Sequence, residues 1–176
     1  MPPLLFLTDP DRTPEPWRQA ERLPEGAGVV LRWFGRTDSL EIARRLSDLC
    51  RARGLVFLVG ADADLAQACG ADGVHLPERE VHSAQALRRR RPDWLITGAA
   101  HSAKALASAS SLDAVLISPV FESASPSAVA PLGVAALQRL TALSPVPAYA
   151  LGGITASTAP HLIDSGACGL ATVGSI

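Results

Sequence analysis

The chain has 176 residues, enough for one domain with a sizeable core. Hydrophobic residues make up 48% and charged residues 19%, with a formal net charge of −1. This excludes a disordered chain and leaves no overall field to draw nucleic acid or a membrane surface.

In chain order, short apolar runs at residues 4–8, 29–32, 55–59, 73–76, 95–97, 114–118, 146–151 and 169–173 read as strands. Helical patterns fall between them, at 17–23, 39–53, 65–69, 83–90, 103–109, 134–143 and 156–165. The clearest is 39–53, with Leu40, Ala43, Leu46, Leu49 and Cys50 on one face. Strand and helix alternate at a spacing of roughly 20–25 residues, which predicts βα units and a parallel sheet. About eight strands in one register point to a (β/α)8 TIM barrel, a single domain over 1–176 that lacks its final C-terminal helix. An open doubly wound sheet is the alternative. The serine-rich stretch 123–131 reads as a mobile loop within the domain.

No apolar run approaches the roughly 20 residues that span a bilayer. The first ten residues lack the basic start and long apolar core of a signal peptide. Cys50, Cys69 and Cys168 are odd in number, widely spaced and set among apolar or alanine-rich neighbours. That predicts buried thiols in a reducing compartment, hence a cytoplasmic protein. The run Arg88–Arg91 ends a helical pattern before Pro92 and reads as a solvated helix end.

In a barrel the carboxyl ends of the strands face the active site. Those positions hold Asp9, Arg32, Asp62, His75, His101, Ser118, Ser123 and Ser125. Two further strands stop on glycine, at Gly152-Gly153 and at Gly174-Ser175. Adjacent strand ends of bare backbone amides suit a phosphate, since a side chain would hold the anion off. Two ordinary turns would read the same way. His75 alternates against Val74 and Leu76 and is either a packed histidine or a functional one. Ser102 is placed to cap a helix that His101 precedes. Asp62 and Asp64, beside Glu78 and Glu80, could hold Mg2+, although Asp64 could simply start a helix. No Cys/His cluster suggests zinc, and there is no G-x-S-x-G elbow.

Taken together, Leu5–Pro10, Gly70–Leu76 (GADGVHL), His101–Leu106, Asp113–Ser125, Pro131–Gly133, Ala150–Thr155 and Gly166–Ile176 resemble the thiamin-phosphate synthase and thiazole tautomerase superfamily. The resemblance covers nearly the whole chain and implies a (β/α)8 barrel. It also implies coupling of a pyrimidine methyl diphosphate to a thiazole phosphate, with release of pyrophosphate and help from Mg2+. Its phosphate site would fall on His75, Ser118, Gly152, Gly153, Gly174 and Ser175, and its reacting side on Arg32, Ser123 and Ser125.

That reacting side is altered. The family's Gln-x-Arg-x-Lys reads Val30-Leu31-Arg32-Trp33-Phe34, and its Asn-Asp reads Gly60-Ala61. The segment after GVHL leaves Glu80 where a metal ligand belongs. The serine before the strand-five histidine motif becomes Ala99. Thr-x-Thr-Lys becomes Ser123-Ala124-Ser125-Pro126. In the tautomerase branch the working histidine would fall on Pro119. The expectation is a divergent synthase acting on a small phosphorylated substrate, or else a non-catalytic binder of thiazole phosphate or a related phosphate ester. A second copy of the chain is expected to cover the groove left by the missing helix.

Overall fold

The eight apolar runs pair side by side in chain order. The computed structural model describes residues 1–123 and 130–174. Its strands are β1 (Leu4–Leu7), β2 (Gly28–Leu31), β3 (Val56–Gly60), β4 (Gly73–Leu76), β5 (Leu95–Ala100), β6 (Ala114–Ile117), β7 (Ala148–Leu151) and β8 (Gly169–Val173). All are parallel, and β8 returns to β1, closing the barrel. An open sheet is thereby ruled out. Strand bounds shift from those expected by up to three residues. β7 starts late because Pro145 and Pro147 bring no amide to the ladder. β5 runs on because the small Gly98, Ala99 and Ala100 stay paired with β6.

The strand residues sort onto two faces. Leu5, Leu7, Val30, Leu58, Ala114, Leu116, Tyr149 and Ala171 pack together as the barrel interior. Phe6, Val29, Phe57, Val59, Val74, Ile96, Val115 and Ile117 belong to the core shared with the surrounding helices. This period-2 split of near-continuous apolar runs is what a parallel sheet buried on both faces requires.

The helices are α1 (Pro16–Ala20), α2 (Ser39–Ala52), α3 (Ala63–Cys69), α4 (Ala84–Arg90), α5 (Ala103–Leu106) and α6 (Val134–Leu143). On α2 the buried residues are Ile42, Ala43, Leu46, Ser47 and Cys50. Leu40, expected on that face, is instead 38% exposed in the first turn. The helix expected at 156–165 is only a 3-10 turn over Ala159–Leu162. The Thr158 hydroxyl is bonded to the Gly153 carbonyl and accepts from the Thr155 amide, so local side-chain bonds compete with a helix there. Pro160 brings no amide, and Asp164 at φ 63 turns the chain away.

Two aspartates close the amino-terminal side of the barrel. Asp72 of the GADGVHL segment accepts from the Phe57 amide at 2.8 Å. Asp113 accepts from the Ile96 amide at 2.7 Å and is also held by Arg88. The arginine run is therefore not simply a solvated end. Arg88 also donates to the Trp94 carbonyl, and Arg91 lies 4.2 Å from the Trp94 ring centre while pairing with Asp93. Arg89 and Arg90 are exposed as expected. Cys50 and Cys69 are buried, whereas Cys168 is exposed, because its segment precedes β8 at the surface. The stretch expected to be a mobile loop lies mostly outside the described residues.

Candidate active site

At the carboxyl ends of β1 and β2, Thr8 and Arg32 hold one another. The Arg32 amide donates to the Thr8 hydroxyl at 2.8 Å, and Arg32 Nε donates to the Thr8 carbonyl at 2.8 Å. Arg32 Nη2 lies 3.6 Å from Asp9 Oδ2. Asp9 in turn accepts from the amides of Asp11 and Arg12, which fixes its carboxylate. The guanidinium is thus a fixed cation, set in direction by the backbone of the neighbouring strand.

His75 is the interior residue nearest the end of β4. It pairs in register with Gly60 on one side and Thr97 on the other, and the Thr97 partner Ala114 lies in the barrel interior. The ring is 8% exposed and its Nδ1 is 2.9 Å from Thr97 Oγ1. Burial, with a smaller push from Arg32, lowers its pKa to about 4. His75 is therefore neutral at pH 7.

His101 and Ser118 meet between the ends of β5 and β6. His101 Nδ1 is 2.8 Å from the Ser118 carbonyl and 3.3 Å from its hydroxyl. A carbonyl only accepts, so the proton is on Nδ1. Glu78 reaches across to accept from the His101 amide at 2.6 Å. Ser102 caps α5 as expected, accepting from the Ala105 amide at 3.2 Å.

The two glycine-ended strands behave differently. Gly152 has φ 99 and Gly153 φ 64. A Cβ on Gly152 would sit 2.7 Å from Pro119 Cα, and one on Gly153 would sit 2.4 Å from the Glu122 carbonyl. These glycines are required by the chain leaving β6, which bonds back through Val120 N to Leu151 O at 2.9 Å and Phe121 N to Gly152 O at 3.1 Å. Gly174 has φ 96 and is buried, yet a Cβ there would meet no described atom within 4 Å. No described residue fills the space beside the end of β8 into which that Cβ would point. Glu122 is exposed, and Ser123 follows it in a partly buried position. Ser125 and Ser175 lie outside the described residues.

The loops after β2 and β3 form a cleft of about 230 Å3, lined by Trp33, Phe34, Val59 and Leu65 together with the polar Ser39 and Asp62. Trp33 is pinned by its Nε1 donating to Asp38 at 2.9 Å, and Phe34 is 63% exposed at the rim. Asp62, not Asp64, starts α3, accepting from the Leu65 amide at 2.8 Å. Ala61 stands at φ 58, a left-handed conformation that alanine disfavours by about 1–2 kcal/mol and that Asp and Asn tolerate better. Glu80 sits in the 3-10 turn after β4, 2.9 Å from Arg79. Among the described residues, no group of three or more His, Cys, Asp or Glu side chains is placed to hold a metal ion.

The sequence profile of the family described as thiamine monophosphate synthase matches residues 17–176. The chain belongs to that family. It is 36% identical to the thiamine-phosphate synthase of Laribacter hongkongensis over 157 residues, covering 86% of this chain and 74% of that one. It is 34% identical to the thiamine-phosphate synthase of Methanoculleus marisnigri, covering 79% of this chain and 67% of that one. In fold it is similar to a thiamine phosphate pyrophosphorylase from Pyrococcus furiosus, with a TM-score of 0.82 at 23% identity, over 97% of this chain and 84% of that one. No helix among the described residues is long and apolar enough to cross a membrane.

Set in the thiamine monophosphate synthase barrel, the predicted site residues fall into groups. Arg32 and His75 are within electrostatic reach of one another, and Ser118 stands with His101. Glu80 is engaged by Arg79 and joins neither group. Sequence reasoning missed Thr8, Thr97 and Thr158, which aim or brace the others, and read Glu78 as a candidate metal ligand where it instead accepts from the His101 amide. Thr97 was visible as a hydroxyl in an otherwise apolar run, but its partner could come only from the strand register.

Proposed function

We propose that this chain is a divergent thiamin-phosphate synthase that binds the thiazole phosphate between the ends of β7 and β8. Membership of the thiamine monophosphate synthase family supports the reaction class. The observation that carries the phosphate end is the space beside buried Gly174 that no described residue fills, next to the left-handed Gly152-Gly153 turn. Backbone amides at such strand ends accept an anion that a Cβ would displace. In the reaction, the pyrimidine methyl–oxygen bond breaks, pyrophosphate departs with the electron pair, and the thiazole nitrogen captures the cation. This chain's residues would orient both rings and set charge on the departing group. Arg32 is the fixed cation for that charge, and the family resemblance adds the hydroxyls of Ser118, Ser123 and Ser125 as donors to it.

The donor set does not fit a Mg2+ held by this chain. One ligand position is the methyl of Ala61, and the other, Glu80, carries Arg79 at 2.9 Å. Taking one ionic partner away from a developing charge costs about 2–4 kcal/mol in comparable sites. Missing lysines at Phe34 and Pro126 therefore predict a slow enzyme. Purified protein incubated with both substrates and Mg2+ at high enzyme concentration tests this. Thiamin phosphate above background supports the synthase, and none refutes it.

A second reading, a non-catalytic binder of thiazole phosphate, is favoured by Phe34 and Ala61 in the cleft after β2 and β3, where the family resemblance implies a lysine and a carboxylate. Calorimetry with thiazole phosphate showing binding without turnover would establish it. Absence of binding removes both readings.

A further inference from the structure

Thr97 is fully buried in the barrel interior, where a hydroxyl is costly unless it is bonded. We propose that Thr97 is a positioning residue that donates to His75 Nδ1, holding the ring as the Nε2–H tautomer so that His75 meets a ligand as a hydrogen-bond donor.

Two acceptors compete for the single Thr97 proton. His75 Nδ1 is 2.9 Å away, and the Val74 carbonyl is 3.5 Å away. The first is an ordinary hydrogen-bond length and the second is at the limit of one. If Nδ1 carried the proton, Thr97 would accept from it and its own hydroxyl would be left with only the long interaction. In a site with no exposure, that is an almost unsatisfied donor. Placing the proton on Nε2 satisfies Thr97 fully and leaves the Nε2–H as the ring's outward group. Arg32 nearby discourages a second ring proton, so the ring stays a neutral donor.

His101 is held the opposite way. The Ser118 carbonyl, at 2.8 Å, keeps its proton on Nδ1 and leaves Nε2 as an acceptor. The two histidines of the barrel mouth are thus set by their neighbours to complementary roles. His75 in this state cannot serve as a general base, because its free nitrogen is already occupied by Thr97. The ligand-facing half of the proposal rests on the phosphate-site reading above, while the tautomer does not.

The experiment is a long-range 1H–15N correlation spectrum of protein labelled with 15N-histidine, which reads the protonated ring nitrogen directly. His75 should show Nε2–H alone. Thr97→Val, close in shape but without the hydroxyl, should bring in the Nδ1–H form, and Thr97→Ser should restore the wild-type pattern. An Nδ1–H pattern in the wild type, or an unchanged pattern in Thr97→Val, overturns the proposal. If Thr97→Val does not fold, the wild-type and Thr97→Ser spectra decide. Titration with thiazole phosphate should then shift the His75 Nε2 resonance. Binding seen by calorimetry with no such shift overturns the donor role, whereas no binding at all overturns the phosphate-site reading and leaves the tautomer standing.

Discussion

Thr8 and Arg32, neighbours across the β1–β2 pair, are joined by two hydrogen bonds of 2.8 Å that run in the same direction, both from Arg32. One involves the Thr8 hydroxyl and the other its carbonyl, so the arginine is aimed by a side chain and a backbone together. Thr8→Val removes the hydroxyl and leaves the Arg32 amide with no acceptor in a buried place. It should cost about 1–3 kcal/mol, read as a lower urea midpoint at unchanged slope, and Thr8→Ser should cost much less.

The glycines at the two strand ends should separate stability from binding. Gly153→Ala puts a methyl 2.4 Å from a backbone oxygen and strains a left-handed residue, a loss of about 2–5 kcal/mol. Gly174→Ala meets no described atom and should cost about 1–2 kcal/mol from its positive φ. Calorimetry should nevertheless show Gly174→Ala weakening thiazole phosphate binding at least about tenfold, a difference of about 1.4 kcal/mol.

His75 should make stability fall in acid. Its folded pKa of about 4 lies below the unfolded value of 6.5, so between these values the unfolded chain binds more protons. The contribution is fully present above the upper value and is lost as pH falls toward 4, amounting to about 3 kcal/mol. The difference in unfolding free energy between wild type and His75→Gln, followed from pH 7.5 to 4 (a range of roughly the width set by the two pKa values), isolates this group from the carboxylates. A flat difference would contradict the buried neutral ring.

Ala61 occupies backbone that suits another residue. Ala61→Gly should stabilise the protein by about 1 kcal/mol by relieving the left-handed strain, with a midpoint rise of about 2–4 °C. Ala61→Asp should be tolerated for the same reason, and in the synthase assay it should raise the Mg2+-dependent rate if the absent carboxylate limits turnover.

Asp113→Ala removes the acceptor of the Ile96 amide and the partner of Arg88 at once. Stability should drop by about 1.5–3 kcal/mol, seen by thermal unfolding, while thiazole phosphate affinity stays unchanged because the proposed site lies at the other end of the barrel.

The barrel was legible because each strand is a compact apolar run, and only parallel strands buried on both faces have that pattern at regular spacing. Gly152, Gly153 and Gly174 were legible as strand ends, but the reason for each was not. The first two are glycine because the chain leaving β6 crowds them, whereas no described residue crowds Gly174. Leu40 and the segment 156–165 were misread because periodicity alone cannot register an exposed first turn or the hydroxyl bonds of Thr155 and Thr158. The serine and glycine motifs are properties of the linear chain. Sequence alone therefore determined the family and the succession of strands and helices. Tertiary structure alone decided which neighbour each polar group meets: Thr8 with Arg32, Thr97 with His75, Ser118 with His101. Those pairs are 24, 22 and 17 residues apart in the chain, and only the register of closed parallel strands brings them within hydrogen-bond reach.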